Sequence, residues 1–384
     1  MTGRVSLAAA SAVLLAALAV SGCSPSSPDG AIPPTATPST PSGSASGPPA
    51  PAEGFWRPTG APTTLASGLT APWSVVPLDD GGALVSQRDD GSILELTASG
   101  DLREVGVVPD VVSGGESGLH GLAVWTDGDE RWLYAYHGAS DDNRVVRMPL
   151  TGEPGSLALG EPEVVIEGIA RNSTHNGGRL AFGPDGMLYV TTGDAQDRTA
   201  SQNPDSLNGK ILRLTPEGRP APGNPFGNEV YTLGHRNVQG IAWTSDGTMW
   251  ASEFGQNTFD ELNRIEPGVN YGWPIYEGME DDDRYMDPVA TWPTSDASPS
   301  GIAAVGDTVF MAGLRGERLW VIDTDAPGIA DEPAAFLTGE QGRLRDVVAS
   351  PDGSLWVLTN NTDGRGTPRA GDDLLLRVDI APRG

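Results

Sequence analysis

The sequence predicts an all-β protein built as a six-bladed β-propeller. One observation is a turn of Asp with Gly that recurs six times before a strand-like run, at intervals of about 45 to 61 residues. An Asp-Gly pair supplies the positive φ of a tight hairpin, and the β-branched and aromatic residues that follow suit a strand. A second observation is the content of 51 Gly and 33 Pro in 384 residues, with no sustained helical stripe. Short strands and turns repeated at this period indicate propeller blades.

The six copies of the turn place the blades along the chain. They are Asp80-Gly81, Asp127-Gly128, Asp185-Gly186, Asp246-Gly247, Gly306-Asp307 and Asp352-Gly353. A pair of β-sandwiches is the alternative architecture, and the regular spacing of the hairpins argues against it. Since a propeller brings loops from all its blades to one mouth of a central channel, ligand-binding residues from distant segments are expected to meet there.

The N-terminal region is predicted to be an export and anchoring segment. Residues 1–22 have the charged start, apolar run and small-residue end of a signal peptide, and Cys23, the only cysteine, follows directly. Cys23 resembles a bacterial lipobox cysteine, which becomes a lipidated N-terminus. The alternative is an ordinary signal peptide cleaved near Ala19. Residues 23–54 are rich in Pro, Ser and Gly and predict a disordered tether, so residues 55–384 form the propeller domain.

Composition excludes some classes of partner. The formal net charge is −27, which disfavours nucleic acid because binding it requires a basic surface. One cysteine allows no disulfide framework, so the core depends on burial alone. Lys210 is the only lysine, so a contact that other proteins make with lysine must here come from arginine.

Three segments carry side chains suited to chemistry on an anionic, carbonyl-bearing ligand. His175 lies just before a strand whose far end is expected to reach Asp194, the pattern of a general base and the carboxylate that orients it. Arg236 stands beside Asn237 and Gln239 at a strand start. Alternate residues of a strand face one side, so the forks of Arg343 and Arg345 are predicted to point together.

At these segments the chain resembles the soluble pyrroloquinoline quinone (PQQ)-dependent sugar dehydrogenases, the family of the soluble glucose and aldose sugar dehydrogenases. The likeness runs from about Gly68 to Val378. The shared motifs, in order, are Gly118 to Ala123, the His175 segment, Asn224-Pro225-Phe226, the Arg236 segment, Gly255-Gln256-Asn257, Asp260 to Asn263, Asn270 to Pro274, Trp292-Pro293-Thr294 and the Arg343 segment.

The resemblance implies a role for each matched residue. His175, Asp194 and Arg236 would be catalytic, and Arg236 would also touch the quinone. The PQQ contacts would be completed by Asn237, Thr294, Arg315, Arg343 and Arg345. One Ca²⁺ would take the backbone carbonyls of Gly255 and Gln256, and a second calcium position would use Glu261 and Tyr271. Glu116 and Trp292 would contact the substrate.

Four positions depart from the family pattern of the glucose enzyme. Arg315 replaces a lysine and changes the reach of that contact. Gln256 replaces a proline, which leaves a backbone ligand intact. Glu116 replaces a glutamine that touches substrate, and His120 interrupts the usual Gly-Leu-Leu-Gly.

The predicted function is PQQ- and Ca²⁺-dependent oxidation of the anomeric hydroxyl of an aldose to a lactone, with electrons passed to an external acceptor. The predicted location is the outer face of the cell membrane, attached only through the lipid on Cys23. Two alternatives stay open at this point. One is a calcium-dependent lactonase-type hydrolase on a six-bladed propeller, and the other is a propeller lipoprotein that binds a ligand without catalysis.

Overall fold

The computed structural model describes residues 43–44, 53–325 and 328–383. The signal peptide, Cys23 and most of the tether lie outside the described residues, so those predictions stay predictions. Among the described residues, no helix is long and apolar enough to cross a membrane. Apart from a 3-10 turn at Arg198–Gln202, the regular elements in these described ranges are β-strands.

The strands are numbered in chain order. They are β1 (Gly43–Ser44), β2 (Trp56–Ala66), β3 (Pro72–Pro77), β4 (Ala83–Gln87), β5 (Ser92–Leu96), β6 (Leu102–Val107), β7 (Leu119–Asp127), β8 (Glu130–Gly138), β9 (Asn143–Thr151), β10 (Ala158–Leu159), β11 (Glu163–Ile169), β12 (Leu180–Phe182), β13 (Leu188–Thr191), β14 (Lys210–Leu214), β15 (Val230–Leu233), β16 (Val238–Trp243), β17 (Met249–Glu253), β18 (Phe259–Ile265), β19 (Ala290–Pro293), β20 (Pro299–Val305), β21 (Thr308–Gly313), β22 (Arg318–Asp325), β23 (Gly328–Ile329), β24 (Ala334–Phe336), β25 (Leu344–Ala349), β26 (Leu355–Thr359) and β27 (Leu375–Pro382).

These strands form six antiparallel sheets, which are the blades, and the predicted fold is confirmed. The blades consist of β3–β6, β7–β11 with β1 at one edge, β12–β15, β16–β19, β20–β24, and β25–β27 with β2. Inner strands β3, β7, β12, β16, β20 and β25 contact one another in a closed ring. Each of the six Asp-Gly turns connects the first and second strands of a blade, as the sequence predicts.

The ring is closed by the two ends of the described domain. Strand β2 pairs antiparallel with β27 as the outer strand of the sixth blade, from the pair Trp56 and Pro382 onward. Asp323 of the fifth blade reinforces this junction, because its carboxylate accepts hydrogen bonds from Arg57 and, at 2.7 Å, from Arg383. The sixth blade therefore depends on residues more than 300 positions apart.

The centre of the ring is filled by polar side chains below one mouth of the channel. Arg179 donates to the Asp346 carboxylate at 2.8 Å, and both residues are buried. The guanidinium also lies 4.4 Å above the ring of Trp73. Since a buried ion pair is costly without further partners, the added cation–π contact and the bond from Arg179 Nε to the Gln239 carbonyl help to retain it. This layer forms the floor of the site.

Candidate active site

A cavity of about 410 Å³ lies at this mouth of the channel. All six blades contribute to its wall. Ten of the predicted site residues line it: Glu116, His175, Arg236, Asn237, Gly255, Gln256, Thr294, Arg315, Arg343 and Arg345. The structure thus brings together residues that are separated by up to 229 positions in sequence.

His175 and Asp194 form the predicted pair. His175 Nδ1 lies 2.7 Å from Asp194 Oδ1, and the Asp194 carboxylate is fully buried behind the ring. The path between them differs from the prediction: His175 precedes β12, and Asp194 follows the antiparallel strand β13. The two residues therefore meet at the open end of a hairpin, because antiparallel strands return the chain to its starting edge.

Asp194 is held as an anion by three donors. Burial alone would raise its pKa, but the hydrogen bond from His175 and those from Gln196 N at 2.8 Å and Trp273 Nε1 at 2.9 Å outweigh burial and lower the pKa. A fixed carboxylate favours the Nδ1–H tautomer of the neighbouring imidazole. Trp273 therefore serves the site although it lies in a different blade.

The contact with Arg236 indicates which ring nitrogen of His175 carries the hydrogen. Arg236 Nη2 lies 2.9 Å from His175 Nε2, and a guanidinium can only donate. Nε2 must therefore carry its lone pair, with the proton on Nδ1 facing Asp194. Burial lowers the pKa of Arg236, while the charges of Asp194 and other carboxylates oppose that effect. The imidazole is set up as a base whose Nε2 lone pair, held by Arg236, is directed to the cavity wall.

The loop carrying His175 is held by close backbone packing. A Cβ on Gly193 would clash with the carbonyl oxygen of His175, so only glycine fits between the two strands at this point. His175 itself has φ of 59°, in the left-handed region. The Asn237 side chain braces the next turn, because its Oδ1 accepts from Gly177 N at 3.0 Å.

Arg343 and Arg345 point to one side, as predicted. Arg343 donates to Asp363 at 3.0 Å, and Arg345 lies 3.7 Å from the same carboxylate. Arg345 also donates to Gln239 Oε1 at 2.9 Å. Burial lowers the pKa of Arg345 to about 9, partly offset by Asp363, so it stays charged at neutral pH. Within the described residues the buried Nε atoms of Arg236, Arg343 and Arg345 have no hydrogen-bond partner, which makes the wall suited to an anion.

Glu116 links the two sides of the mouth. One carboxylate oxygen accepts from His175 N at 3.0 Å, and the other lies 2.7 Å from Nη1 of Arg365, whose side chain is half exposed. His120 supports this loop, since its Nε2 lies 2.7 Å from the Glu116 carbonyl and its ring stacks between Trp73 and Tyr136. Burial lowers the pKa of His120 to about 3, so the ring is neutral. The histidine that departs from the family motif is thus a buried support.

Gly255 and Gln256 line the cavity, and their backbone carbonyls are the predicted oxygen ligands. Gly255 N donates to Asp260 Oδ1 at 3.0 Å, and Gln256 N donates to Glu277 Oε1 at 2.6 Å. Within the described residues neither carbonyl oxygen accepts a hydrogen bond. Asp260 also lines the cavity, and burial raises its pKa to about 6. Oxygen donors of this kind suit a hard divalent cation.

Besides Asp194, which lies behind His175, three predicted residues lie outside the cavity. Trp292 is in the core, with its ring centroid 5.5 Å from that of Trp320, so the structure does not place it as a substrate contact. Glu261 is buried, accepts from Gly278 N at 2.8 Å, and has a pKa raised by burial and by the nearby Glu253. Tyr271 stacks on His235 at 4.6 Å. Among the described residues no group of three or more His, Cys, Asp or Glu side chains forms a metal cluster, so the second calcium position stays a prediction.

Several cavity and supporting residues were not predicted from the sequence. They are Trp73, Arg88, Asp260, Trp273, Asp363 and Arg365. The signal that could have found Trp273 and Asp260 is their place within the shared motifs. Asp363 and Arg365 lie in a loop after β26 and carry no local pattern that separates them from surface charges.

A six-bladed propeller with an oriented base beside a wall of buried arginines defines an enzyme that moves a proton next to an anionic group. The chain belongs to the glucose / sorbosone dehydrogenase family, whose model matches residues 69–376. This membership confirms the predicted family and the predicted enzyme class, an oxidoreductase.

Characterised relatives agree with the family. The aldose sugar dehydrogenase YliI of Escherichia coli is 28% identical over 338 residues, which cover 78% of this chain and 90% of that protein. The quinoprotein glucose dehydrogenase B of Acinetobacter calcoaceticus is 31% identical over 256 residues, 58% of this chain and 54% of that protein. The solved PQQ-bound aldose sugar dehydrogenase of Streptomyces coelicolor is 50% identical, with a TM-score of 0.81, covering 87% of this chain and all of that one.

Proposed function

We propose that this protein oxidises the anomeric hydroxyl of an aldose to a lactone, using PQQ and Ca²⁺, and passes the electrons to an external acceptor. The observation that carries the proposal is His175, whose Nδ1 is bonded to Asp194 and whose Nε2 lone pair faces Arg236 at the cavity wall. A dehydrogenase needs a base of this kind, because removing two electrons from an alcohol also releases its hydroxyl proton.

The residues present fit PQQ, a rigid tricarboxylate with a quinone. In the described part of the chain three arginine Nε donors are buried without a partner, and Arg343 and Arg345 share one carboxylate, Asp363. That leaves the arginine wall short of negative charge, so an anionic cofactor is well matched to it. Arg236, Asn237, Thr294 and Arg315 complete the wall. When bound, PQQ supplies the acceptor for the hydride that leaves the anomeric carbon.

The protein contributes proton transfer and charge stabilisation. His175 Nε2 accepts the proton of the anomeric hydroxyl as the carbon–oxygen double bond forms. Asp194 stabilises the resulting imidazolium through Nδ1. Because Nε2 has one lone pair, Arg236 yields its contact with Nε2 when the substrate hydroxyl binds there, and it keeps a cation beside the position where negative charge develops. Glu116 offers a carboxylate to sugar hydroxyls at the mouth.

Calcium would bind at the Gly255 and Gln256 carbonyls. Both residues line the cavity and their oxygens are free of internal hydrogen bonds among the described residues. The adjacent Asp260 adds a carboxylate near this wall, which favours a cation electrostatically. Carbonyls and a carboxylate are the donor set that Ca²⁺ prefers.

Reconstitution tests the function. The purified protein is loaded with PQQ and Ca²⁺, and reduction of an artificial dye is followed over a panel of aldoses. The expected result is sugar-dependent dye reduction that requires both additions. Lactone hydrolysis without an electron acceptor would favour the hydrolase instead, and tight PQQ binding without turnover on any sugar would favour a non-catalytic binder.

We also propose that the protein is a lipoprotein on the outer face of the membrane. The support is the sequence alone: Cys23 directly follows the apolar run, and residues 23–54 can separate the propeller from an anchor. Cell fractionation of wild type and Cys23→Ser, with mass spectrometry of the N-terminus, tests it. Release of the variant with unchanged specific activity is expected, whereas a soluble wild type without lipid on Cys23 overturns the proposal.

A further inference from the structure

One carboxylate oxygen accepts hydrogen bonds from four successive backbone N–H groups at the end of the loop between β17 and β18 and the start of β18. Glu277 Oε1 accepts from Gln256 N at 2.6 Å, Asn257 N at 2.9 Å, Thr258 N at 2.9 Å and Phe259 N at 3.2 Å. Four successive N–H groups that converge on one anion form a backbone nest. Burial would raise the pKa of Glu277, but these bonds outweigh it and lower the pKa.

The nest determines the direction of the two carbonyls at the cavity wall. In a planar trans peptide, the C=O of one residue is antiparallel to the N–H of the next. Because Gln256 N–H points to Glu277, the Gly255 carbonyl points away from Glu277. Because Asn257 N–H does the same, so does the Gln256 carbonyl. The acid thus lies on the far side of both peptides, while both residues line the cavity.

The remaining N–H of this segment is also occupied, by the Asp260 carboxylate at the cavity wall. Gly255 N donates to Asp260 Oδ1 at 3.0 Å, and Asp260 Oδ2 accepts from Ser298 N at 2.6 Å. The segment therefore has its donors bonded and its two carbonyl oxygens free among the described residues. A site that offers only acceptors attracts a cation and offers no donors to an anion.

We propose that Glu277 is a positioning residue for the divalent cation, acting through the Gly255 and Gln256 carbonyls. This rests on the proposed use of calcium. By binding the N–H groups, Glu277 fixes the orientation of the two carbonyls before the cation binds. Binding the cation therefore requires little further ordering of the loop. Its charge also polarises both peptides toward the cavity. Nothing in the sequence singles out Glu277, because it lies in a loop with other acids.

The test is calcium affinity in the absence of PQQ. Wild type, Glu277→Gln and Glu277→Asp are stripped with a chelator and titrated with CaCl₂ by calorimetry. Asp283→Asn, an exposed acid of the same acidic region, is the control for loss of one negative charge. Outer residues that orient metal ligands typically contribute about 10–100-fold in metal affinity. Glu277→Gln is expected to weaken calcium binding in that range, and Asp283→Asn to leave it within about twofold.

Thermal unfolding separates positioning from general stability. With chelator present, a structural role alone would lower the melting temperature of Glu277→Gln but preserve the increment produced by calcium. A positioning role reduces that increment, because less calcium binds at the same concentration. Equal calcium affinity in wild type and Glu277→Gln overturns this inference alone. A wild type that binds no calcium overturns it together with the proposed calcium dependence.

Discussion

His175 owes its role to the partners of its two ring nitrogens. Asp194 fixes the proton on Nδ1, and Arg236 can only donate to Nε2, so the base is prepared before substrate enters. His175 is not among the residues proposed to bind the carboxylates of PQQ. Loss of the imidazole therefore removes chemistry and leaves the wall.

We predict that His175→Ala retains PQQ binding and loses turnover by about 10²–10⁴-fold, the range for a general base. The measurement is kcat in the dye assay, with fluorescence titration of PQQ on the same variant as the control. A variant with nearly normal kcat at neutral pH would remove His175 from the mechanism.

We predict that Arg343→Ala and Arg345→Ala each weaken PQQ binding by about 1.5–3 kcal/mol, the contribution of a hydrogen bond to a charged group. Excess PQQ should restore part of the rate. Arg219→Ala, whose side chain is 77% exposed, is the matched control outside the cavity. Unchanged affinity with a collapsed rate would contradict the role of these arginines.

Residue-level prediction succeeds where the partners share a motif or a hairpin. His175 and Asp194 are 19 positions apart and meet because one hairpin joins them. Asp363 and Glu277 could not be found in this way, since an acid in a loop has the same local sequence whether its carboxylate faces solvent or binds other groups of the protein. Trp292 was assigned from a motif, yet its ring faces the core, because a motif does not specify which way each strand residue points.

At the scale of elements, the strand that closes the ring depends on one carboxylate. Asp323 accepts from Arg57 of β2, from Thr308 at 2.9 Å and from Arg383 beyond β27. These bonds and the arginine charges lower its pKa in spite of burial. The three donors come from the first and last segments of the domain and from the fifth blade.

We predict that Asp323→Asn destabilises the protein by about 1–3 kcal/mol, with part of the ion-pair energy screened because both arginines are partly exposed. Urea unfolding at pH 7 measures this change. Asp325→Asn, an exposed acid at the end of the same strand, should have a free energy of unfolding close to wild type. Equal stability of the two variants would show that β2 is held without Asp323.

The individual blades are easier to predict from the sequence than the strand pairing that closes the ring of blades. Every blade has its Asp-Gly hairpin because that turn needs a specific backbone, which leaves a local mark. Strand β2 has no such mark: most of its residues are partly or fully exposed, so its hydrophobic pattern is weak. Its pairing with β27 is a contact over the whole domain and cannot be read from either segment alone.

At the scale of the molecule, acid stability follows from carboxylates that are held ionised. Asp194, Asp323, Asp352 and Asp363 have lowered pKa values, because hydrogen bonds or arginine charges outweigh burial. For a carboxylate with a lowered pKa, the contribution to stability is present above its ordinary value near 4 and is lost as pH falls through the lowered value.

We predict that the free energy of unfolding decreases as pH falls from about 4 toward 2. Asp352→Asn, which removes one of these carboxylates outside the cavity, should be less stable than wild type at pH 6 and show a shallower decrease. Urea titrations at intervals of pH measure both slopes. Parallel slopes for wild type and variant would assign the acid sensitivity to other groups.

The sixth blade combines strands from the two ends of the domain, so it can form only after the last part of the domain has been synthesised. Arg343, Arg345 and Asp363 lie in the last part of the chain, on the blade that β2 completes. A nascent polypeptide that has presented only five blades has the base but neither of these two arginines. A product that ends before the sixth blade is therefore expected to bind the cofactor less tightly, because two arginines of the cavity wall and the pairing partner of β2 are missing.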